Sequence, residues 1–287
     1  MTANPPPTAG HVARRAAHAA PAPPHTGSRT TRVLGVVVLV GLALLLLLGL
    51  ALSPADAVQG DVVRIMYLHV PSAITAYLAF GVTALGSGMY LWKRSQFWDL
   101  AAGASAEIGV VFTALTLLTG SLWGRPTWGV YWVWDARLTT TALLLVLFIG
   151  YLAVRNLPGE RHVRAKRAAV AGLVAFVDVP LVHYSVEWWR SLHQPATLTR
   201  LDPTIEGLML FTLMTGIVVF LALYAWLVIH RFRVEFLREQ LESRGLDDAL
   251  AERRAEAAVA ARPAAVGVTG RPVGAGTMSG SGEGGRP

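Results

Sequence analysis

Six long hydrophobic stretches dominate this chain of 287 residues and limit what it can fold into. They cover residues 33–52, 71–92, 102–122, 138–154, 168–184 and 206–230. A helix needs ~20 residues to cross the hydrocarbon core of a bilayer, a length that all but the slightly short fourth and fifth stretches reach. Because lipid offers the backbone no hydrogen-bond partners, such stretches must form helices. With 53% hydrophobic and 15% charged residues, the sequence predicts an all-α integral membrane protein, a six transmembrane helix bundle.

The distribution of Lys and Arg predicts the orientation of this bundle. Fourteen basic residues flank the hydrophobic stretches on one side of the predicted membrane, and five lie on the other side. Because basic residues accumulate in cytoplasmic loops, both termini are expected to be cytoplasmic. The segments 53–70, 123–137 and 185–205 are then expected together on the external face.

Composition divides the chain into four parts. Residues 1–30 are rich in Pro and Ala and predict a disordered cytoplasmic tail, and residues 31–231 form the six-span domain. Residues 232–261 mix charges with Leu and Ala at helical spacing, which indicates a cytoplasmic helix. Residues 262–287 are rich in Gly, Ser and Pro, which is typical of a disordered tail.

The middle external segment is unusually rich in tryptophan. Four of the nine tryptophans fall between Trp123 and Trp134, followed at once by Asp135. Tryptophan is common where a protein meets the membrane surface, so an aromatic belt is the plainer interpretation. A belt, however, places one or two aromatic residues at each helix end. The density here favours an aromatic platform for a large planar ligand.

Histidines on both sides of this segment suggest what that ligand contains. His69 precedes the second hydrophobic stretch, and His183 ends the fifth, both on the predicted external side. Two imidazoles at one membrane depth beside an aromatic platform suggest axial ligation of a heme iron. A hydrogen-bonding role for each histidine is an equally open alternative, and His193, farther into the loop, is a less favoured candidate ligand. The absence of cysteine excludes thiolate ligation and disulfides in this chain.

Three external arginines are candidates to bind the carboxylates of such a ligand. A guanidinium binds a carboxylate in a forked geometry, so these side chains suit heme propionates. The candidates are Arg125, Arg137 and Arg190. The alternative is structural: Arg137 pairs with Asp135 or Glu187 and holds a loop to a helix.

Two acids inside the hydrophobic stretches, Asp178 and Glu107, are functional candidates, with hydrogen bonding inside the bundle as the plainer alternative. The sequence contains no phosphate-binding glycine loop, no serine nucleophile elbow and no His-Glu-x-x-His zinc motif. We therefore expect no hydrolysis of ATP or peptides by this chain.

The segment 123–139, WGRPTWGVYWVWDARLT, closely resembles the tryptophan-rich "WWD" signature of heme-handling proteins of cytochrome c maturation. Together with IMYLHVP at residues 65–71, VHYSVEWWRSLHQ at residues 182–194 and six spans, it identifies the chain as similar to the heme exporter protein C (CcmC) family. The resemblance covers about residues 30–230, and the motifs together are specific.

The resemblance implies a function in cytochrome c biogenesis at the bacterial cytoplasmic (inner) membrane. Such proteins hold heme b non-covalently on the outer, periplasmic face and deliver it to the heme chaperone CcmE, where heme becomes covalently attached. The small protein CcmD and the CcmA and CcmB ABC transporter are the implied partners. Carried onto this sequence, the resemblance makes His69 and His183 the axial ligands. It makes a heme platform of Trp123, Trp128, Trp132, Trp134 and Asp135.

Two other functions remain open from the sequence. A permease subunit for heme export would need a polar or aromatic path through the spans, and a b-type electron-transfer protein would need facing histidines inside the bundle. Whether the chain counts as an enzyme, with a heme lyase or transferase-like activity toward the chaperone, is also left open by the residues.

Overall fold

The computed structural model describes residues 27–193, 205 and 207–260. Within them the regular structure is helical, apart from one isolated bridge between Asp56 and Gly60. Six helices are long and apolar enough to cross a membrane, which confirms the predicted all-α membrane fold. One of these six spans consists of two consecutive helices, α5 and α6. The α-helices of the described chain are α1 (Arg29–Leu47), α2 (Met66–Lys93), α3 (Gln96–Trp128), α4 (Ala136–Asn156), α5 (Arg161–Phe176), α6 (Asp178–Trp188) and α7 (Gly207–Ala260). A π-helical turn, Leu48–Leu52, extends α1, and a 3-10 turn, Asp61–Ile65, leads into α2.

The helices α2 and α3 form the centre of the bundle. Small residues on α3 allow α2 and α3 to pack closely together, as is usual between membrane helices. At Gly109 an added Cβ would lie only 2.6 Å from the ring of Phe80, which is fully buried. Phe80 in turn stacks on Phe148 of α4, with ring centroids 3.6 Å apart. The absence of a side chain at Gly109 therefore lets three helices share one aromatic contact.

Ion pairs join the helices at the end of the bundle where α2 ends and α3 begins. Arg155 of α4 forms a two-pronged pair with the buried Asp99 of α3, and Gly103 leaves room for its guanidinium. Arg231 of α7 pairs with Glu107, its Nη2 lying 2.8 Å from Oε1, and the pair supports the structural interpretation of this acid. Further along α7, Glu239 pairs with two arginines of α5, Arg161 and Arg164.

The helices extend beyond the hydrophobic stretches at the opposite end. The helix α3 continues to Trp128, so Trp123 and Trp128 lie on its last turns and not in a loop. The fifth span is divided at Val177 into α5 and α6, with Pro180 in the first turn of α6. Proline cannot donate a backbone hydrogen bond, which accounts for a break near this position. We call this end, which carries residues 123–135, the tryptophan-rich end.

Contacts divide the chain into two units, Met1–Glu239 and Gln240–Pro287. In the second unit residues 240–260 are helical, and the side chains at 241–257 are exposed. The predicted disordered tails, 1–30 and 262–287, lie outside the described residues except for 27–30.

A methyl group at Gly109 should destabilise the bundle. In Gly109→Ala the new Cβ meets Phe80, which cannot move away because it stacks on Phe148. Overpacking of this kind costs about 1–3 kcal/mol, so we expect a lower thermal unfolding midpoint in detergent, followed by tryptophan fluorescence. Gly150→Ala is the matched control, because no neighbouring atom lies within 4 Å of its added Cβ. Equal midpoints for the two variants would contradict this account of the core.

Candidate functional site

Three segments meet at the tryptophan-rich end through side-chain hydrogen bonds. The indole Nε1 of Trp123 donates to the Gln59 side chain over 2.7 Å, which joins the end of α3 to the loop after α1. That loop is shaped by Asp56, whose carboxylate accepts the backbone N–H groups of Val58 and Gln59 at 2.9 and 2.8 Å. These two backbone hydrogen bonds lower the pKa of Asp56 below its ordinary value. The third segment, after α6, joins through Asp135.

His69 lies in the first turns of α2 with its imidazole against α3. Its Nδ1 is 3.1 Å from the Thr119 hydroxyl, which itself donates to the Leu115 carbonyl over 2.7 Å. With the hydroxyl proton directed to the Leu115 carbonyl, Nδ1 carries the hydrogen and donates. In this tautomer the Nε2 lone pair is available to a ligand. Gly120 makes this position possible, because a Cβ there would be 3.0 Å from the ring.

His193 is held in the same way by an acid. Its Nδ1 is 3.0 Å from Oδ2 of Asp135, so Nδ1–H donates to the carboxylate and Nε2 is again the free nitrogen. Ser191 donates to the same oxygen over 2.5 Å, and the Leu138 N–H donates to Oδ1 over 2.8 Å. Asp135 thereby caps the start of α4 and fixes the loop after α6.

The protonation states of this junction follow from these contacts. Burial by itself raises the pKa of Asp135, but the hydrogen bonds from Ser191, Leu138 and His193 outweigh it and bring the pKa below its ordinary value. Burial lowers the pKa of His193 below 6.5; Asp135 opposes this shift and Arg137 adds to it. In both cases the folded state binds protons less readily than the unfolded chain. The resulting stability is present above the unfolded pKa values and is lost as the pH falls, so acid weakens the junction.

Two of the four tryptophans predicted to form a platform each contact one histidine edge-on. Trp123 lies 5.7 Å from His69 between ring centroids, and Trp128 lies 4.8 Å from His193. Trp132 and Trp134 contact each other at 5.4 Å and 80°, so the four indoles do not form one flat surface. Trp134 is 79% exposed. The arrangement is therefore two indole–imidazole contacts and a separate pair of indoles, of which Trp134 is largely exposed.

His183, predicted from the sequence as the second ligand, contacts other rings at the same end of the bundle. Its ring contacts Tyr77 at 6.5 Å and Tyr184 at 4.9 Å, and it makes no ring hydrogen bond within the described residues. Among the three candidate histidines, His69 and His193 are the ones whose rings contact platform tryptophans within the described residues. The sequence feature that could have pointed to His193 is Asp135, an acid in the tryptophan-rich segment whose carboxylate needs a hydrogen-bond donor.

The three candidate arginines have different surroundings. Arg125 donates to the Gly129 carbonyl and lies over the ring of Tyr131, and Arg190 is exposed. Arg137 donates through Nη2 to the His183 carbonyl over 3.1 Å. Its Nε is buried without a hydrogen-bond partner, as is Nε1 of Trp132, counting only partners within the described chain. No ion pair to Asp135 or Glu187 is formed by Arg137 among those same residues.

Replacing Asp135 with asparagine should change the titration of His193. Because the carboxylate raises the pKa of His193, Asp135→Asn lowers that pKa further and leaves more neutral imidazole in mildly acidic buffer. The measurement is the pH dependence of His193 modification by diethyl pyrocarbonate, which reacts with neutral imidazole, followed by peptide mass spectrometry. Glu187→Gln, an exposed acid of the same end, is the control. An unchanged titration in Asp135→Asn would rule out the pairing.

Comparison with known proteins shows which protein family this chain is similar to. The sequence model of the family "Heme exporter protein C" matches residues 17–247. Heme exporter protein C of Haemophilus influenzae is 45% identical over 193 residues, which is 67% of this chain and 78% of that protein. Its counterpart in Bradyrhizobium diazoefficiens is 40% identical over 205 residues, 70% of this chain and 78% of that protein. A putative cytochrome c biosynthesis ccmC-like mitochondrial protein of Arabidopsis thaliana is 34% identical over 209 residues, 70% of this chain and 79% of that protein.

Proposed function

Since this chain belongs to the heme exporter protein C family of cytochrome c maturation proteins, we propose that it binds heme at its tryptophan-rich end and delivers it to the heme chaperone CcmE. Heme is the cargo, held non-covalently as heme b until it becomes covalently attached to the chaperone. The tryptophan-rich end then faces the periplasm from the inner membrane, with both termini cytoplasmic. This orientation agrees with the greater number of basic residues predicted for the cytoplasmic side.

One observation carries the proposal: His69 and His193 each contact a tryptophan of the platform, and each ring has Nδ1 engaged in a hydrogen bond. Each imidazole has Nδ1 fixed as a donor, to Thr119 and to Asp135, so each has Nε2 available. A metal-bound histidine commonly donates its other ring N–H to a carboxylate or another acceptor, which orients the ring and raises its basicity. We therefore assign His69 and His193 as the axial ligands of the heme iron.

The pair proposed from the sequence, His69 with His183, is the alternative assignment. His183 is less suited to that pair because its ring contacts Tyr77 and Tyr184 and none of the platform tryptophans, within the described part of the chain. The two assignments differ in which single substitution removes the bis-imidazole spectrum, so one experiment separates them.

The platform would hold the macrocycle without enclosing it. Edges of Trp123 and Trp128 lie beside the two ligands, and the exposed Trp134 is positioned to present the edge of the heme to the chaperone. Arg137 and Trp132 each offer a buried donor without a partner in the described chain, and buried donors of this kind normally find an acceptor. A heme propionate supplies one. Arg125 and Arg190 are the further propionate candidates.

The contribution of this protein to covalent attachment is positioning. No cysteine is present, and no nucleophile of this chain is needed, because a chaperone histidine forms the bond to the heme vinyl group. Correct orientation of reactants contributes up to ~7–11 kcal/mol in favourable cases. CcmD, CcmA and CcmB are the proposed partners in loading and release.

The axial ligands can be identified from heme spectra of purified variants. We expect His69→Ala and His193→Ala each to lose the low-spin bis-imidazole spectrum and covalent loading of co-expressed CcmE by at least about tenfold, because one iron ligand is missing. His183→Ala should keep the low-spin spectrum. His162→Ala, an exposed histidine at the other end of the bundle, is the control.

The converse result would require a different assignment. Loss of the low-spin spectrum in His183→Ala with retention in His193→Ala would establish the His69–His183 pair. Heme bound by the wild type but never transferred to CcmE would support an electron-transfer protein or a permease subunit.

Trp134→Leu should separate binding from delivery. Because Trp134 is 79% exposed and contacts Trp132 only edge-on, its loss should leave the low-spin spectrum intact and lower covalent loading of CcmE by roughly tenfold or more. The matched control is Trp92→Leu, since Trp92 is 77% exposed at the other end of the bundle. Normal loading in Trp134→Leu would remove this residue from the delivery step.

A further inference from the structure

An unbroken apolar stripe runs along α5 and α6 to the tryptophan-rich end. Its members are all exposed and follow one another at three- and four-residue spacing, which places them on one face of the two consecutive helices. They are Val170, Val174, Val177, Leu181, Tyr184 and Trp188. In a membrane protein an exposed apolar stripe of this length faces lipid. The stripe therefore leads from the bilayer to the same end of the bundle as the platform.

The stripe ends in a flat aromatic surface. Tyr184 and Trp188 lie one helical turn apart and stack, with ring centroids 5.5 Å apart and an interplanar angle of 21°. Aromatic residues at this level are common as membrane-surface anchors. An anchor, however, does not require a stacked pair beside a metal-binding side chain.

His183 supplies such a side chain. It is exposed, its ring lies 4.9 Å from Tyr184 at 89°, and its ring makes no hydrogen bond within the described residues. An exposed imidazole beside a flat aromatic surface has the chemistry to bind heme weakly: one nitrogen ligand for the iron and one stacking surface for the macrocycle. Heme itself is amphipathic, so it partitions to this level of the bilayer.

The first turn of α4 connects this surface to the site described above. Arg137 donates to the His183 carbonyl over 3.1 Å, while Asp135, two residues earlier, binds His193 over 3.0 Å. The buried Nε of Arg137, without a partner in the described chain, can hold a heme carboxylate in either position.

We propose that His183, Tyr184 and Trp188 form a second, lipid-facing heme site that receives heme from the outer leaflet and passes it to His69 and His193. The proposal rests on the heme-binding function proposed above. The transfer is a ligand exchange, in which the iron–His183 bond breaks as bonds to the other two imidazoles form. The oxidation state of the iron does not change, and no other reactant is required.

Heme uptake from vesicles tests the proposal with the full-length protein in nanodiscs. Iron protoporphyrin IX is supplied in phosphatidylcholine vesicles, and absorbance spectra give the bound heme and the rate at which the low-spin form appears. Wild type should bind roughly two hemes per chain, one low-spin and one weaker and high-spin. His183→Gln should lose the high-spin heme and form the low-spin species roughly tenfold more slowly, because the local supply of heme is lost.

A double variant and a control separate the site from general membrane effects. Tyr184→Leu with Trp188→Leu keeps the stripe apolar and removes only the flat rings, so it should slow uptake like His183→Gln. His162→Gln, an exposed histidine at the other end, should behave as wild type.

Three outcomes would overturn the proposal. The first is a single bound heme in wild type together with wild-type uptake in His183→Gln. The second is loss of the low-spin species itself in His183→Gln, which would make His183 one of the axial pair. The third is the absence of heme binding in every variant and in wild type, which would refute the proposed function as well.

Discussion

The carboxylate of Asp135 is the contact on which the tryptophan-rich end depends. One oxygen accepts the Leu138 N–H and starts α4, and the other accepts Ser191 and His193 from the segment after α6. Without it, the loop that carries His193 would have no charged partner in the described site, and α4 would lose its cap. Asp135 therefore caps α4 and also sets the tautomer of His193, which lies 58 residues later in the chain.

Contacts in the rest of the bundle hold the geometry of the tryptophan-rich end in place. The opposite end is joined by arginine–carboxylate pairs such as Arg155 with Asp99, and the centre packs Phe80 into the space left by Gly109. Few of these groups can move independently, because interiors of this density resist rearrangement. Mobility is therefore expected at the tryptophan-rich end, where Trp134 and Trp188 are exposed and where the proposed heme would enter and leave.

The sequence predicted the fold well because a bilayer permits few solutions. Runs of about 20 apolar residues define spans whatever their neighbours are. Helix ends were less predictable: the third hydrophobic stretch ends at residue 122, yet α3 continues to Trp128. Packing of Trp128 against Gly124 and the hydrogen bond from Trp123 to Gln59 support the longer helix. Local propensity does not include such tertiary contacts.

The residue types of the proposed heme site are predictable from the sequence, whereas the choice of the histidine that would pair with His69 rests on tertiary contacts. His69, His183 and His193 all lie at one end, as membrane sidedness suggests, but sidedness cannot tell which ring has a second partner. The decisive difference is the hydrogen bond at Nδ1, which Asp135 provides to His193 and which His183 lacks within the described chain. An imidazole fixed through Nδ1 holds iron in one orientation, whereas an untethered imidazole binds and releases it more readily. The proposed capture and later presentation of heme would use both kinds of imidazole.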